Sequence, residues 1–406
     1  MDEAQSTGKA YDPVSDAEVA RARLMVGVDV ASAARSHVTV ATEDAILNFA
    51  AACGNDNLLF SDPAAASATR WGGLIAPSIM AGMINKPLRG DPLDPHLLKR
   101  TTELFPNCNQ FVSGGEWTFY RPIRLGDELY SFEAEDSVEA KPSKFAGRTI
   151  HAVRARVKLN QRGEVVAVQK VRRIISPRRG EKSAKIATES ALYDGAAIAR
   201  IDAAYAAPRS SVRALADVQL GQDLSEAVVG PLTVTDVVMF LAAGGFGFAA
   251  RTPLVGKLAA QDRAIFPNFY GLDVRGVPDV LQRVHWDPAL TAKQGHPGPY
   301  DYGVMRESYL YLYLADWCGP DGWVVRLHDE MRKFNYVGDT QWISGEVAAI
   351  RGNLVVVKLT MRNQRDEETV RAEATVTFGD KVLPEVPADL AARAQKIWQR
   401  HLELAR

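Results

Sequence analysis

The sequence predicts an α+β fold built twice: two antiparallel sheets, each wrapped around a mostly apolar helix. Three observations carry this. Alternating strands flank a Gly-Asp turn in FYRPIRLGDELYSFEAE (Phe119 to Glu135) and again in RKFNYVGDTQWISGEV (Arg332 to Val347), with turns at Gly126-Asp127 and Gly338-Asp339. The next strand pair holds Asn160-Gln161-Arg162 in one half and Asn363-Gln364-Arg365 in the other. Each strand-rich region follows a helix-like one, so the order of elements is kept across both copies.

The first helix of each copy explains itself. TEDAILNFAAACG (Thr42 to Gly54) opens on a threonine cap with acids in its first turn, then places apolar residues at helical spacing. TVTDVVMFLAAGG (Thr233 to Gly245) repeats that form and ends in glycine, with Asp236 answering Asp44. Beyond each helix, Phe60-Ser61-Asp62-Pro63 corresponds to His285-Trp286-Asp287-Pro288. The second copy carries an insertion from about Gly245 to Pro278 that holds Phe246, Phe248, Phe266, Phe269 and Tyr270. Between the copies a polar, then Ala-rich stretch predicts a linker with one surface helix. The domain division is 1–180, a linker at 181–220, and 221–406.

A chain of 406 residues exceeds the usual single-core limit. Its apolar content of 47% and net charge of -1 fit a globular protein with no basic domain, which argues against nucleic acid as the main partner. No apolar run reaches membrane-helix length, and the polar, acidic start lacks secretory-signal form. The three cysteines, Cys53, Cys108 and Cys318, are too few and scattered for a disulfide framework or zinc site. A reducing cytoplasm is the expected compartment.

The stretch RVHWDPALTAKQGHPGPYDYGVMR (Arg283 to Arg306) resembles the active-site segment of the MaoC-like (R)-specific enoyl-CoA hydratases. His285, Asp287, Pro288 and Gly303, eighteen residues after the histidine, match the family pattern. Val304 stands at the family Met, and Met305 follows it. The resemblance covers nearly the whole chain and is to the two-repeat acyl dehydratases whose first half is a FAS1-like dehydratase domain. It implies a double hotdog, an acyl-CoA thioester substrate, no metal or cofactor, and homo-oligomerisation as an option. The implied chemistry adds water across the α,β double bond. That needs a base for water, an acid for carbon, and donors for the enolate oxygen.

In the first copy GNDNLLFSDP (Gly54 to Pro63) places Asn55 at the family Asp and Phe60 at the catalytic His. Phenylalanine carries no proton, so this copy is expected to be inactive. The small, apolar RWGGLIAPSIMAGM (Arg70 to Met83) reads either as an acyl-chain wall or as packed core. The second copy keeps His285 as the acid/base candidate. Gly303 is the oxyanion candidate, because it opens a helix whose free amides point at the thioester oxygen. Asp287 reads as a cap for the next helix.

The family acid falls at Val280 and the family Asn at Gln282, so the sequence departs from the pattern there. Asp279, one residue earlier, is the expected second acid if the chain bulges, and Asp301 is the next candidate. Arg306 has two open roles: a CoA phosphate or substrate carboxylate, or pairing with Asp301 or Glu307. Trp286, Gln282, Asp301 and Arg306 form the expected substrate-binding set. Arg283 and Arg178-Arg179 are weaker phosphate candidates, and the glycines of Gly244 to Phe248 lack a preceding strand for a phosphate cradle.

The expected function is an (R)-specific 2-enoyl-CoA hydratase, equivalently a 3-hydroxyacyl-CoA dehydratase, acting on a bulky acyl group. A hotdog thioesterase would want a carboxylate on the central helix, for which 233–245 offers only Asp236. A non-catalytic acyl-CoA-binding partner subunit is the third reading, motivated by Phe60 and Val280.

Overall fold

A computed structural model describes residues 12–143, 146–177, 192–209, 211–212, 214–244, 256–379 and 383–406. The first half contributes β1 (Val30–Ala31), β2 (Ile75–Ala76), β3 (Cys108–Phe119), β4 (Ile123–Arg124), β5 (Leu129–Ser143), β6 (Gly147–Asn160) and β7 (Val165–Pro177). The second contributes β8 (Asp223–Val229), β9 (Tyr270–Leu272), β10 (Pro278–Val280), β11 (Gly322–Met331), β12 (Gln341–Arg351), β13 (Leu354–Asn363) and β14 (Glu368–Phe378). A helix, Gly195–Ala206, lies between the two sets.

Ten of these strands join into one antiparallel sheet, β1-β5-β6-β7-β3-β11-β14-β13-β12-β8. The halves meet edge to edge where β3 pairs β11, with Trp117 opposite Leu327 and Gly115 opposite Asp329. Joining them here covers two edges that would otherwise present unpaired backbone groups.

The recurring motifs brace each other. Gln161 donates to Asp127 Oδ1 at 2.9 Å, and Gln364 donates to Asp339 Oδ1 at 2.7 Å. Asn160 and Asn363 each accept two backbone amides in their own turn. The Gly-Asp turn and the Asn-Gln-Arg turn therefore form one hydrogen-bonded corner in both copies, which explains why both motifs persist together.

The helices divide the labour. Glu43–Ala52 is capped by Thr42, whose hydroxyl accepts from Ala45. In Val234–Gly244 the caps are reciprocal: Asp236 accepts from Thr233, and the Thr233 hydroxyl accepts from the Asp236 amide. These two helices pack on each other through Phe49 and Phe240, ring centroids 6.1 Å apart. The helix lying against the second half's sheet is Gly303–Cys318, with twelve of its sixteen residues buried. The first half has only the short 3-10 turn Ser78–Gly82 in the corresponding stretch. One apolar cluster runs through both halves, from Ile46 and Trp117 to Leu310 and Val376. Ile79, Met80 and Met83 belong to it, so RWGGLIAPSIMAGM is packed interior here.

The last helix, Ala388–Ala405, leaves its own half and docks on the other. Trp398 and Ala394 bury against Phe132, Val157 and Leu159, and Arg393 pairs with Asp29. Gly163 makes room for it: a Cβ there would sit 2.3 Å from the Trp398 ring, at a φ of +75° that side chains disfavour. Trp398→Ala is expected to cost about 3 to 5 kcal/mol, as large-to-small core substitutions do. Urea denaturation would check it, and an unchanged midpoint would mean that the helix is not part of the stabilised core.

Candidate functional site

The site is assembled by one segment. The hairpin β9–β10 is followed by a 3-10 turn, Leu281–His285, and then by a short helix, Pro288–Lys293. Asp287 caps that helix, accepting from the amides of Ala289 and Leu290 at 2.8 and 3.3 Å. Asp62 does the same for Pro63–Ser67 in the first half. Arg283 fastens the segment. It is 2% exposed, and its guanidinium donates to the carbonyls of Gly271, Leu272, Asp279 and Val280 and to Asp287. That arginine is therefore consumed inside the protein, while Arg178 and Arg179 fall outside the described residues.

His285 is held rather than free to rotate. Its Nδ1 lies 2.7 Å from the Tyr300 carbonyl oxygen. A carbonyl only accepts, so Nδ1 carries the proton and Nε2 is the basic nitrogen. The ring stacks on Tyr302 with centroids 3.6 Å apart and meets Tyr300 edge-on at 5.0 Å. Burial pulls its pKa down to about 4 against the opposing bonds to Tyr300 and Asp301 backbone, so the imidazole is neutral at pH 7.

Asp301, whose backbone also bonds to the imidazole, is 2% exposed. Oδ2 accepts from Asn335 Nδ2 at 3.0 Å and faces Arg306 Nε at 3.1 Å; Oδ1 is buried with no hydrogen-bond partner. Burial pushes this carboxyl up to about 6, while Arg306 and Asn335 pull it the other way. Of the two roles open to Arg306, the structure shows pairing: besides Asp301, Nη1 donates to the Lys333 carbonyl at 2.9 Å.

Asp279 lies half-buried in β10, where Oδ1 accepts from the next amide, Val280, at 2.7 Å. The charge it exerts is felt by Arg275, and no carboxylate is among the influences on His285. Gly303 opens the helix Gly303–Cys318, whose N-cap, Tyr302, supplies no side-chain bond. Among the described residues, the N-cap side chain therefore leaves the first-turn amides of this helix uncapped. Gln282 is half-buried three residues before His285, and Trp286 packs against the common core.

Sequence reasoning passed over Tyr300, Tyr302 and Asn335, which hold His285 and Asp301. The signal was the aromatic density of PYDYG and KFNYVG. His296, Phe334 and Tyr336 extend the same cluster, His296 being 4.7 Å from Phe334. The expected central helix was also misplaced: Gly303–Cys318, which carries Glu307 and Asp316, takes that position rather than 233–245. Of the insertion, Phe246 and Phe248 lie outside the described residues. The rest forms a helix, Gly256–Ile265, and the hairpin, with Phe269 against Tyr270.

The first copy is closed. Phe60 is 1% exposed and borders a cavity of only about 20 Å³ with Trp71, Tyr311 and Trp323. Asn55 and Asn57 instead donate to Asp316 of the long helix, at 3.2 and 2.9 Å. A larger cavity of about 350 Å³ lies alongside, lined by Asn55, Arg209, Tyr309, Asp316 and Asn335 among others.

Residues 25–169 match a family described as the FAS1-like, dehydratase domain region. A stretch of 83 residues is 29% identical to the 3-oxo-4,17-pregnadiene-20-carboxyl-CoA hydratase beta subunit of Mycobacterium tuberculosis. It covers 20% of this chain and 64% of that relative, so the chain spans less than two thirds of the relative's length. Among solved structures, a MaoC-like dehydratase superposes with a TM-score of 0.60 at 15% identity, covering 88% of this chain and 99% of the other. A MaoC domain dehydratase from Chloroflexus aurantiacus gives 0.53 at 13% identity, over 87% and 96%. A Mycobacterium tuberculosis protein described as a double hotdog gives 0.50 at 12% identity, over 87% and 96%. Residues 25–169 thus match the FAS1-like dehydratase region, and the chain as a whole shares the double-hotdog fold of the solved structures called MaoC-like dehydratases.

Proposed function

We propose that the protein is an (R)-specific 2-enoyl-CoA hydratase, equivalently a 3-hydroxyacyl-CoA dehydratase, taking a bulky acyl thioester. One observation carries the reading: a neutral imidazole, fixed through Nδ1 by the Tyr300 carbonyl, beside a buried acid and a helix start that its N-cap side chain leaves uncapped. His285 Nε2 takes a proton from water, and the hydroxyl adds to C3. The amides opened by Gly303 hold the developing enolate oxygen. An acid then protonates C2.

Asp279 and Asp301 are the two candidate acids. Burial favours Asp301, which retains its proton at higher pH. Trp286 and Gln282 flank the acyl group on the His285 turn, and Arg306 acts through Asp301. The similarity of one stretch to a hydratase of a polycyclic acyl-CoA supports a bulky substrate.

The test is hydration of crotonyl-CoA, octenoyl-CoA and cinnamoyl-CoA, followed at the enoyl absorbance and by chiral analysis of the product. Turnover of at least one to the (R)-hydroxyacyl product is expected. Thiol release without hydration would replace this reading with a thioesterase. That relative is a beta subunit, which gives the non-catalytic partner its motive; bound but unturned enoyl-CoA would favour it.

A further inference from the structure

Two carboxylates lie fully buried at the seam between the halves, and the mechanism above uses neither. Glu307 is on the long helix, one residue past Arg306, and is 4% exposed; Asp329 is on β11 and 0% exposed. Both face Gly115 of β3. From the position of a Cβ on that glycine, Glu307 Oε1 would be 3.6 Å and Asp329 Oδ1 3.9 Å away. Both oxygens therefore lie within van der Waals reach of the same point on β3, while it is the Lys170 carbonyl, 2.8 Å from that Cβ position, that excludes a side chain there.

The surroundings do not compensate two negative charges. Trp117 Nε1 donates to Glu307 Oε2 at 2.9 Å. Among the described residues no side chain donates to the Asp329 carboxyl, and the Gly115 backbone is the weak exception that favours its charged form. Arg172 spends one donor on the Asp329 backbone carbonyl, and Arg306 is already paired with Asp301. An ion buried in low dielectric costs several kcal/mol, and a second beside it costs more. Burial raises both acids, and the charge of Glu307 raises Asp329 further. A carboxylic acid donating to a carboxylate is the arrangement that satisfies both groups with one charge.

We propose that Glu307 and Asp329 share a single proton across the seam, and that this acid pair is a positioning element keeping Arg306 on Asp301. Arg306 then faces one net negative charge on either side. With the pair doubly ionised, Arg306 would be drawn away from Asp301, and the Tyr300–Tyr302 loop that holds His285 would lose its anchor. The groups that face the pair are Trp117 and the Gly115 backbone from β3, Arg172 from β7 and Arg306 from the long helix. The positioning part rests on the proposed hydratase reading; the shared proton does not.

The test has two arms. Infrared spectroscopy of the wild-type protein in neutral buffer should show a protonated carboxylic acid band that is lost in Glu307→Gln and in Asp329→Asn, where the remaining acid ionises against the arginines. A wild-type protein with no such band, or a band untouched in both variants, overturns the shared proton whether or not the protein is a hydratase. Should single variants fold poorly, the doubly neutral Glu307→Gln/Asp329→Asn protein removes the charge problem, and the band must be absent there. In the second arm, Asp329→Asn keeps one negative charge, now on Glu307, so its pH profile should stay near wild type, whereas Glu307→Gln/Asp329→Asn leaves Arg306 to Asp301 alone and should move the upper limb of the profile to lower pH. An upper limb unmoved in the double variant overturns the positioning role.

Discussion

His285→Ala should abolish hydration by a factor of about 10² to 10⁴, the usual contribution of a positioned acid/base group. Its effect on the melting temperature should be small, because the ring contributes a stacked contact with Tyr302 and one hydrogen bond to a loop carbonyl. His285→Gln is the sharper variant: it can keep a donor for the Tyr300 carbonyl but offers no basic nitrogen. Equal rates in wild type and both variants would remove this residue from the chemistry. The pH profile adds a second check. His285 must be neutral to accept a proton, so its depressed pKa puts the acidic limb near 4. Asp301 must be protonated to serve carbon, so its raised pKa puts an upper limb near 6. In Asp279→Asn both limbs should remain. Loss of the upper limb in that variant would hand the acid role to Asp279.

How much of this was legible beforehand follows physical lines. The Asp287 cap and the Gly-Asp and Asn-Gln-Arg turns were legible because each depends on residues close in sequence or on a repeated pairing. Arg283 was misread as a surface phosphate candidate. Its carbonyl partners come from a hairpin that local patterning does not announce, and a solvated arginine is the usual expectation. The long helix was harder still. Arg306, Glu307 and Ser308 interrupt its apolar run, which reads as amphipathic. Yet those residues are buried, because Asp301 meets Arg306, Trp117 of β3 meets Glu307, and Ser308 donates to the Val304 carbonyl one turn earlier. Spacing ranked Asp279 ahead of Asp301. Asn335, more than thirty residues further on, is what separates them.

Arg306→Ala should be the most destabilising single change at this site, by about 3 to 5 kcal/mol, because removing one partner of a buried ion pair strands the other. Asp301 would be left with Asn335 alone, and Glu307 and Asp329 would lose their shared counter-charge. Asp301→Asn should cost less, since the arginine keeps the Lys333 and Thr369 carbonyls. The two variants also differ in pH response. Asp301 is raised to about 6 in the folded chain from an ordinary value near 4. Its contribution is fully present below about 4 and is lost as pH rises through about 6, a change of about 3 kcal/mol in favour of the folded state on acidification. His285 works in the opposite sense: depressed to about 4, it contributes stability above about 6.5 that is lost as pH falls through 4. Comparing wild type with Asp301→Asn cancels the histidine. The stability difference between them, measured by urea denaturation at pH 4 and pH 7.5, should therefore shift towards wild type at the lower pH. A pH-independent difference would mean that Asp301 is ionised throughout and is no acid for carbon.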